Sequence, residues 1–331
     1  MLSNHTSDPI ESQLREEALY KPYQSLNAYL KKKYGEKIYK IALDGGFTCP
    51  NRDGTCGTRG CIFCSAGGSG EFATAIRQNS SIDAQITQAL ARFGNKQTGQ
   101  RFIAYFQAYT GTYAAPERLY ALYHRALSHP KIIGISIATR PDCLPAPVLD
   151  VIKQCQMEFP DKFVWIELGL QSVHEKTALY IRRGYPLSCF EGALETLQTM
   201  SVPVIVHVIL GLPGETRADM LATIDYLSHK NIFGIKLQLL HVLRGTDLAA
   251  EYERGVFSCL SKEAYIDLLC SCIDHLNPAI VLHRVTGDGP KDLLIAPIWS
   301  LQKRDVLNSL HKALRDGEHF QGKDFGNHRP L

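Results

Sequence analysis

The sequence predicts an α/β fold, a partial (β/α)6 TIM-like barrel with a C-terminal α/β extension. Three observations lead there. Six short β-rich runs alternate with amphipathic runs between about residues 38 and 240. Two of those runs, Val164-Trp-Ile-Glu-Leu and Val204-Ile-Val-His-Val-Ile, are almost continuously apolar, as suits strands covered on both faces. Each cluster of polar or sulfur-bearing residues falls just after a strand, where parallel β/α folds collect their chemistry.

Strands are expected at residues 38–43, 102–107, 132–138, 163–168, 204–210 and 235–240. Helices are expected between them at 82–93, 116–127, 146–157, 189–200 and 216–228, with Pro116 and Pro147 in first turns, where proline is tolerated. Beyond about residue 245 a helix (262–276), a strand (280–285) and a helix (300–314) are placed to cover the barrel's open side. The chain therefore divides into an appended segment 1–35, a barrel 36–245 and an extension 246–331.

With 331 residues, 45% of them hydrophobic, the chain can fill one barrel-sized core. A charged fraction of 21% excludes a disordered class. A net charge of +3 permits an RNA partner only through local basic groups. The N-terminal twenty residues lack a secretory apolar core, and the run 202–212 is much shorter than the ~20 residues of a membrane span. The chain reads as cytoplasmic, with no membrane partner. Ten cysteines in that setting point to metal binding or buried thiols rather than disulfides.

Cys49, Cys56, Cys61 and Cys64 lie within sixteen residues on a glycine-rich loop after the first strand. The Cys61-x-x-Cys64 pair lets two thiolates bind one centre from a single turn, with Cys49 or Cys56 as a third ligand. Three thiolates on a [4Fe–4S] cube leave one iron open to chelate a small molecule. Four thiolates on a structural zinc ion are the alternative, although zinc sites usually pair two short hooks.

The segment Ala42-Leu-Asp-Gly-Gly-Phe-Thr-Cys-Pro-Asn-Arg-Asp-Gly-Thr, followed by Gly60-Cys-x-Phe-Cys-Ser-Ala-x-Gly-Ser-Gly, resembles the YhcC/YtqA-type branch of the radical S-adenosylmethionine (SAM) family. That branch is distantly related to the Elongator catalytic subunit, and the resemblance runs from about residue 25 to 325. It implies a [4Fe–4S] cluster on Cys49, Cys61 and Cys64, with Cys56 departing from the pattern, and SAM as the second cofactor. The reaction implied is reductive cleavage of SAM to a 5′-deoxyadenosyl radical that abstracts hydrogen from the substrate.

The same resemblance, with the strand ends, nominates SAM contacts. Strand two ends in Gln107-Ala-Tyr-Thr-Gly-Thr112, a polar glycine-containing turn that nominates Gln107 and Thr110. Glu167 is a lone carboxylate on an apolar strand, costly to bury without a partner. It is expected to accept the ribose hydroxyls, with a salt bridge to Arg183 as the alternative. Gln171 follows it, Arg183 is expected near the SAM carboxylate, and Gly211 in the turn packing on adenine. Gly67-Gly-Ser-Gly70 reads as close packing over the cluster rather than a phosphate loop, since no Lys-Ser/Thr follows.

Substrate contacts are expected from Arg140, His207, Lys236, His283, Arg284 and Asp288. Arg140 has Asp142 as an alternative partner, and His207, mid-strand, taken alone reads more often as a satisfied core histidine. Lys236 and Gln238 share one strand face, which suggests a polar cavity. The resemblance implies tRNA as partner, with carboxymethylaminomethyl-uridine at the wobble position converted to aminomethyl-uridine. It also calls for a flavodoxin- or ferredoxin-type electron donor. Lys31, Lys32 and Lys33 with Tyr34, and Lys303 with Arg304, are the densest basic groups for holding phosphates.

Overall fold

The computed structural model describes residues 22–68, 70, 81–93, 99–287 and 289–326. In chain order the elements are α1 (Leu26–Tyr34), β1 (Tyr39–Leu43), α2 (Ile82–Phe93), β2 (Phe102–Phe106), α3 (Pro116–Ser128) and β3 (Ile132–Thr139). There follow α4 (Ala146–Glu158), β4 (Phe163–Gln171), α5 (Glu175–Tyr180), α6 (Leu187–Thr199), β5 (Val204–Leu210), α7 (Arg217–Ser228) and β6 (Gly234–Leu239). The C-terminal part holds β7 (Val242–Leu243), α8 (Asp247–Glu253), α9 (Lys262–His275), β8 (Val281–Arg284), β9 (Leu294–Ala296) and α10 (Lys303–Asp316).

Seven strands form one parallel sheet in the order β1-β2-β3-β4-β5-β6-β8, curled into a half-barrel with helices outside. The expected strand near 280–285 is β8, which pairs with the free edge of β6 and so adds a seventh strand. A small antiparallel pair, β7 with β9, stands beyond β6 and was not expected from the sequence.

Alternation along each strand divides the sheet's faces. Outward residues such as Ile41, Leu43, Phe106, Ile166, Leu168 and Val206 join the helices in the main core. Each helix presents its apolar stripe to that core, as in Ile82, Ile86 and Ala89 of α2. The inward face is stacked in layers. At the strands' N-terminal end, Ile38, Ile103, Ile133, Trp165 and Ile205 form a separate apolar cluster sealed by Leu30 of α1.

The segment expected as an appendage is thus partly a plug. Ser25 caps α1 by accepting from the Ala28 amide at 3.2 Å, and Gly35 ends it at φ 76°, where a Cβ is disfavoured. Tyr29 packs edge-on to Phe233, ring centres 5.1 Å apart. Lys31, Lys32 and Lys33 occupy the last turn, where cations favour the helix dipole.

His283, expected at the substrate, lies in this apolar layer instead. It sits edge-on to Trp165 and Phe233, both centroids 5.5 Å away, and its ring nitrogens have no hydrogen-bond partner. Burial holds its pKa well below the usual histidine range, so it is neutral.

Above the plug is a charged layer around Glu167, whose side chain is fully buried. Its Oε1 accepts from Lys40 Nζ and Ser136 Oγ, each at 2.5 Å. Its Oε2 accepts from His207 Nε2 at 2.6 Å and from Lys236 Nζ. Lys236 also donates to the Tyr105 hydroxyl at 3.0 Å. The salt bridge to Arg183 that was the alternative for Glu167 is not formed, since Arg183 lies near Glu175 instead. Glu167 stands mid-strand with both oxygens occupied by donors from β1, β3, β5 and β6.

Burial alone would raise the Glu167 carboxyl, but Lys236, Lys40 and the His207 hydrogen bond hold it well below the carboxylate range. Burial and the Lys236 charge push His207 down to about 4. An unfolded histidine titrates near pH 6.5, so below that pH the unfolded chain binds a proton the folded chain refuses. Stability should therefore fall as pH drops from about 6.5 to about 4, and fall further as Glu167 is forced to protonate. Chemical denaturation at pH 7.5, 6 and 4.5 measures this, and a flat profile would contradict it. Glu167→Gln should cost about 3–5 kcal/mol at pH 7.5 by leaving two buried ammonium groups without their carboxylate. A loss under 1 kcal/mol would show that the network is dispensable.

Candidate functional site

Above the charged layer, at the strands' carboxyl ends, lie two connected chambers. The first, about 170 Å³, is lined by Cys49, Cys61 and Cys64 together with Gln107, Thr110, Arg140, Gln171 and Arg183. Glu167, His207 and Lys236 form its floor, and Arg284 also lines it. The second chamber, about 180 Å³, shares Phe63, Gln107, Gln171, His207, Gln238 and Arg284 with the first. It extends toward His241, Leu243, Gly287 and Pro290.

The loop after β1 is shaped to face its thiols inward. The Cys49 carbonyl accepts the amides of Arg52 (2.8 Å) and Asp53 (3.2 Å), closing a tight turn. The Cys64 amide donates to the Cys61 carbonyl at 2.9 Å, so the C-x-x-C pair sits on one turn. Asn51 Nδ2 donates to Cys61 Sγ at 3.5 Å and to the Arg182 carbonyl at 2.8 Å, tying the loop to the segment after α5. The Arg52 guanidinium holds the Cys64 carbonyl at 2.9 Å and also reaches the Ser65 carbonyl. Gly68 (φ 58°) lies under Tyr109, where a Cβ would come within 2.3 Å of the ring. That is close packing, as expected of the 67–70 run; Ser69 lies outside the described residues.

Cys56 parts company with the other three. It is exposed and lines a different hollow, with Thr55, Tyr113 and Cys143. Among the described residues, no three His, Cys, Asp or Glu side chains converge as for a single ion. Thiols spaced around a cavity suit a cube instead, whose separate irons each take one thiolate. Burial, then the neighbouring Cys64, pushes the Cys61 thiol up to about 12, a cost that coordination to a metal cation would offset by stabilising the thiolate.

The other nominated residues divide. Gln107, Thr110 and Gln171 line the first chamber, Gln171 at a strained φ of 63° that turns the chain at the end of β4. Arg183 is buried, and it donates to the carbonyls of Leu170 (3.0 Å), Ser172 (2.7 Å) and Tyr185 (3.0 Å). Its Nη2 has no hydrogen-bond partner and stands 3.6 Å from Glu175. Arg140 makes the two-point pair with Asp142 (2.9 and 2.6 Å) that was its alternative, while still lining the chamber.

Gly211 lies outside both chambers. Its φ of 88° turns the chain away after β5, and a Cβ there would meet Leu260 at 3.2 Å. Asp288 lies outside the described residues. Lys40, Tyr105 and Tyr185 were not nominated. Lys40 carried the same signal as Glu167, a lone charge on an apolar strand.

The comparisons agree with this architecture. Residues 54–227 match the Radical SAM superfamily model, and residues 232–316 match the Radical_SAM C-terminal domain. The chain is 41% identical over 305 residues to YtqA of Bacillus subtilis, covering 92% of this chain and 93% of YtqA. It is 37% identical over 287 residues to YhcC of Escherichia coli K12, covering 87% and 90%. The fold matches archaeal Methanocaldococcus infernus Elp3 with a TM-score of 0.62 at 14% identity. That match covers 85% of this chain but only 63% of the Elp3 chain. No helix among the described residues is long and apolar enough to cross a membrane. A parallel half-barrel with a three-thiol mouth, matched over most of its length, places this chain in the radical SAM superfamily, an enzyme family whose cofactors are a [4Fe–4S] cluster and SAM.

Proposed function

We propose that Cys49, Cys61 and Cys64 hold the cluster and that the enzyme modifies the C5 side chain of wobble uridine in tRNA. The observation that carries the first part is the shared chamber of these three thiols, with Cys56 turned to another hollow. Bound there, the cluster and SAM supply one-electron cleavage of SAM and hydrogen abstraction from the substrate. This chain's own residues do the rest. Asn51 and Arg52 fix the loop that carries the thiols, Gln107 and Thr110 offer polar contacts beside them, and the buried Arg183 holds the end of β4 in place through the Leu170 and Ser172 carbonyls. Walls from β1 to β6 keep water from the reacting centre. A low-potential flavodoxin or ferredoxin is the partner that supplies the electron.

Conversion of carboxymethylaminomethyl-uridine to aminomethyl-uridine is supported by the family resemblance and by the rim of the cavity. Arg59 and Arg182 both bind Asp247, each at 2.5 Å, so the rim has more cations than anions there. Arg244 is exposed close by on the turn after β7. An anticodon base is unpaired, so its entry into a chamber costs little.

The two basic patches do not share a face. Lys31, Lys32 and Lys33 belong to the plug, at the end of the barrel opposite the thiols. Lys303 and Arg304 begin α10 beside Lys262, which binds Asp305 at 2.8 Å at the start of α9, on the cavity's side.

Replacing Cys49, Cys61 or Cys64 by Ala should abolish the cluster's visible charge-transfer absorption after anaerobic reconstitution, while Cys56→Ala should retain about four irons per chain. Cluster loss in Cys56→Ala with retention in Cys49→Ala would reverse the assignment. For RNA, Lys303→Ala with Arg304→Ala should flatten the log–log salt dependence of tRNA binding by about two. The Lys31/Lys32/Lys33→Ala variant should keep the wild-type slope. The opposite pattern would move docking to the plug end. Purified enzyme that cleaves SAM yet leaves carboxymethylaminomethyl-uridine tRNA unchanged would refute the tRNA reading.

A further inference from the structure

Asn51 directly follows Cys49-Pro50, and it is buried, with 4% of its surface exposed. Its Nδ2 lies 3.5 Å from Cys61 Sγ, 2.8 Å from the Arg182 carbonyl and 3.2 Å from the Arg183 carbonyl. Carbonyls only accept, so the amino end of the side chain must face them, and the same end then faces the sulfur. The amide cannot turn over without setting its own oxygen against two others. Arg140 Nη1 donates to the same Arg183 carbonyl at 3.0 Å and holds that acceptor in place. On the other side Gly184, at φ 84°, leaves room for the amide, since a Cβ there would stand 2.7 Å from Asn51 Oδ1. The Asn51 carbonyl accepts the Gly60 amide at 2.7 Å, so one residue holds both the backbone leading into Cys61 and its sulfur.

As a thiol, Cys61 donates to the Arg182 carbonyl at 3.7 Å. A thiolate has no proton to give, so against a metal-bound sulfur the Asn51 N–H becomes a charge-assisted donor. Hydrogen bonds to the sulfurs are among the factors that set an iron–sulfur potential, because an added electron increases the negative charge the donor meets. Resting on the reading that Cys61 is a cluster ligand, we infer that Asn51 is a positioning residue that raises the cluster's reduction potential through an N–H···S bond whose direction the Arg182 and Arg183 carbonyls fix. It eases acceptance of one electron from a low-potential donor without adding a formal charge to the cavity.

The test uses the cluster-loaded full chain. Potentiometric titration followed by EPR gives the midpoint potential of wild type, Asn51→Leu and Asn51→Asp. Leu is close to Asn in size and removes the donor. Its reduced-to-oxidised ratio at a fixed potential should fall about tenfold, a midpoint lower by about 59 mV for one electron. Asp keeps the shape and brings in a titrating group, whose neutral acid can still donate and whose carboxylate repels the sulfur. The Asn51→Asp midpoint should therefore fall with rising pH more steeply than that of wild type. A residue that only held the loop would change the yield of loaded protein and leave both readings where they were.

Wild-type protein carrying asparagine labelled with 15N in the side chain needs no variant to fold. Pulsed EPR of its reduced cluster should show a 15N coupling that unlabelled protein lacks, and this measurement decides if the variants fail to load. Absence of the coupling, or variant midpoints equal to wild type, would overturn the inference. Cys61→Ala separates it from the reading beneath it. If Cys61→Ala keeps the cluster, the ligation reading falls and takes the role of Asn51 with it. If Cys61→Ala loses the cluster and the 15N coupling is absent, the ligation stands and the role of Asn51 alone falls.

Discussion

The buried carboxylate of Glu167 is the interaction on which the rest of this barrel depends. Four donors from four strands converge on its two oxygens. Taking one carboxylate and two ammonium groups out of water carries a penalty of several kcal/mol per ion unless each is met by good geometry. Meeting it requires β1, β3, β4, β5 and β6 in a single register, so the network specifies the curl of the sheet. A one-residue slip would turn Glu167 outward into the helix-facing core.

The charged layer also separates two environments. Below it, α1 and a ring of aliphatic and aromatic side chains close the barrel. Above it, the strands end and the connecting loops bring in sulfur, guanidinium and carboxamide groups. Parallel strands deliver all their carboxyl ends to one side, so residues from 49 to 284 meet in one place. The layered interior thus makes the site one-ended: chemistry at the mouth, packing at the plug.

Much of this was legible in the sequence because it is local. Continuous apolar strands, helix stripes and the C-x-x-C turn depend on residues a few positions apart, and strands fell within a few residues of their expected bounds. Glu167 was legible as a buried charge needing a partner, but not which one. Lys40 and Lys236 lie 127 and 69 positions away, and pairing at such separations depends on register. His283 misled for a related reason. Its neighbours Arg284 and Gly287 reach the chambers, while alternation along β8 sends His283 into the plug. Helices α5 and α8, six and seven residues long, and the two-residue strand β7 are too short for periodicity to register.

On the proposed ligation the mouth offers three thiolates, leaving one iron of a four-iron cluster for SAM. Mössbauer spectroscopy of enzyme reconstituted with 57Fe, recorded with and without SAM, tests it most directly. Three-thiolate ligation predicts that roughly one quarter of the iron signal moves to a distinct, higher isomer shift when SAM is added, the remainder staying in place. A spectrum unchanged by SAM, with all four irons alike, would mean that the cluster is fully ligated by the protein and would rule out three-thiolate ligation.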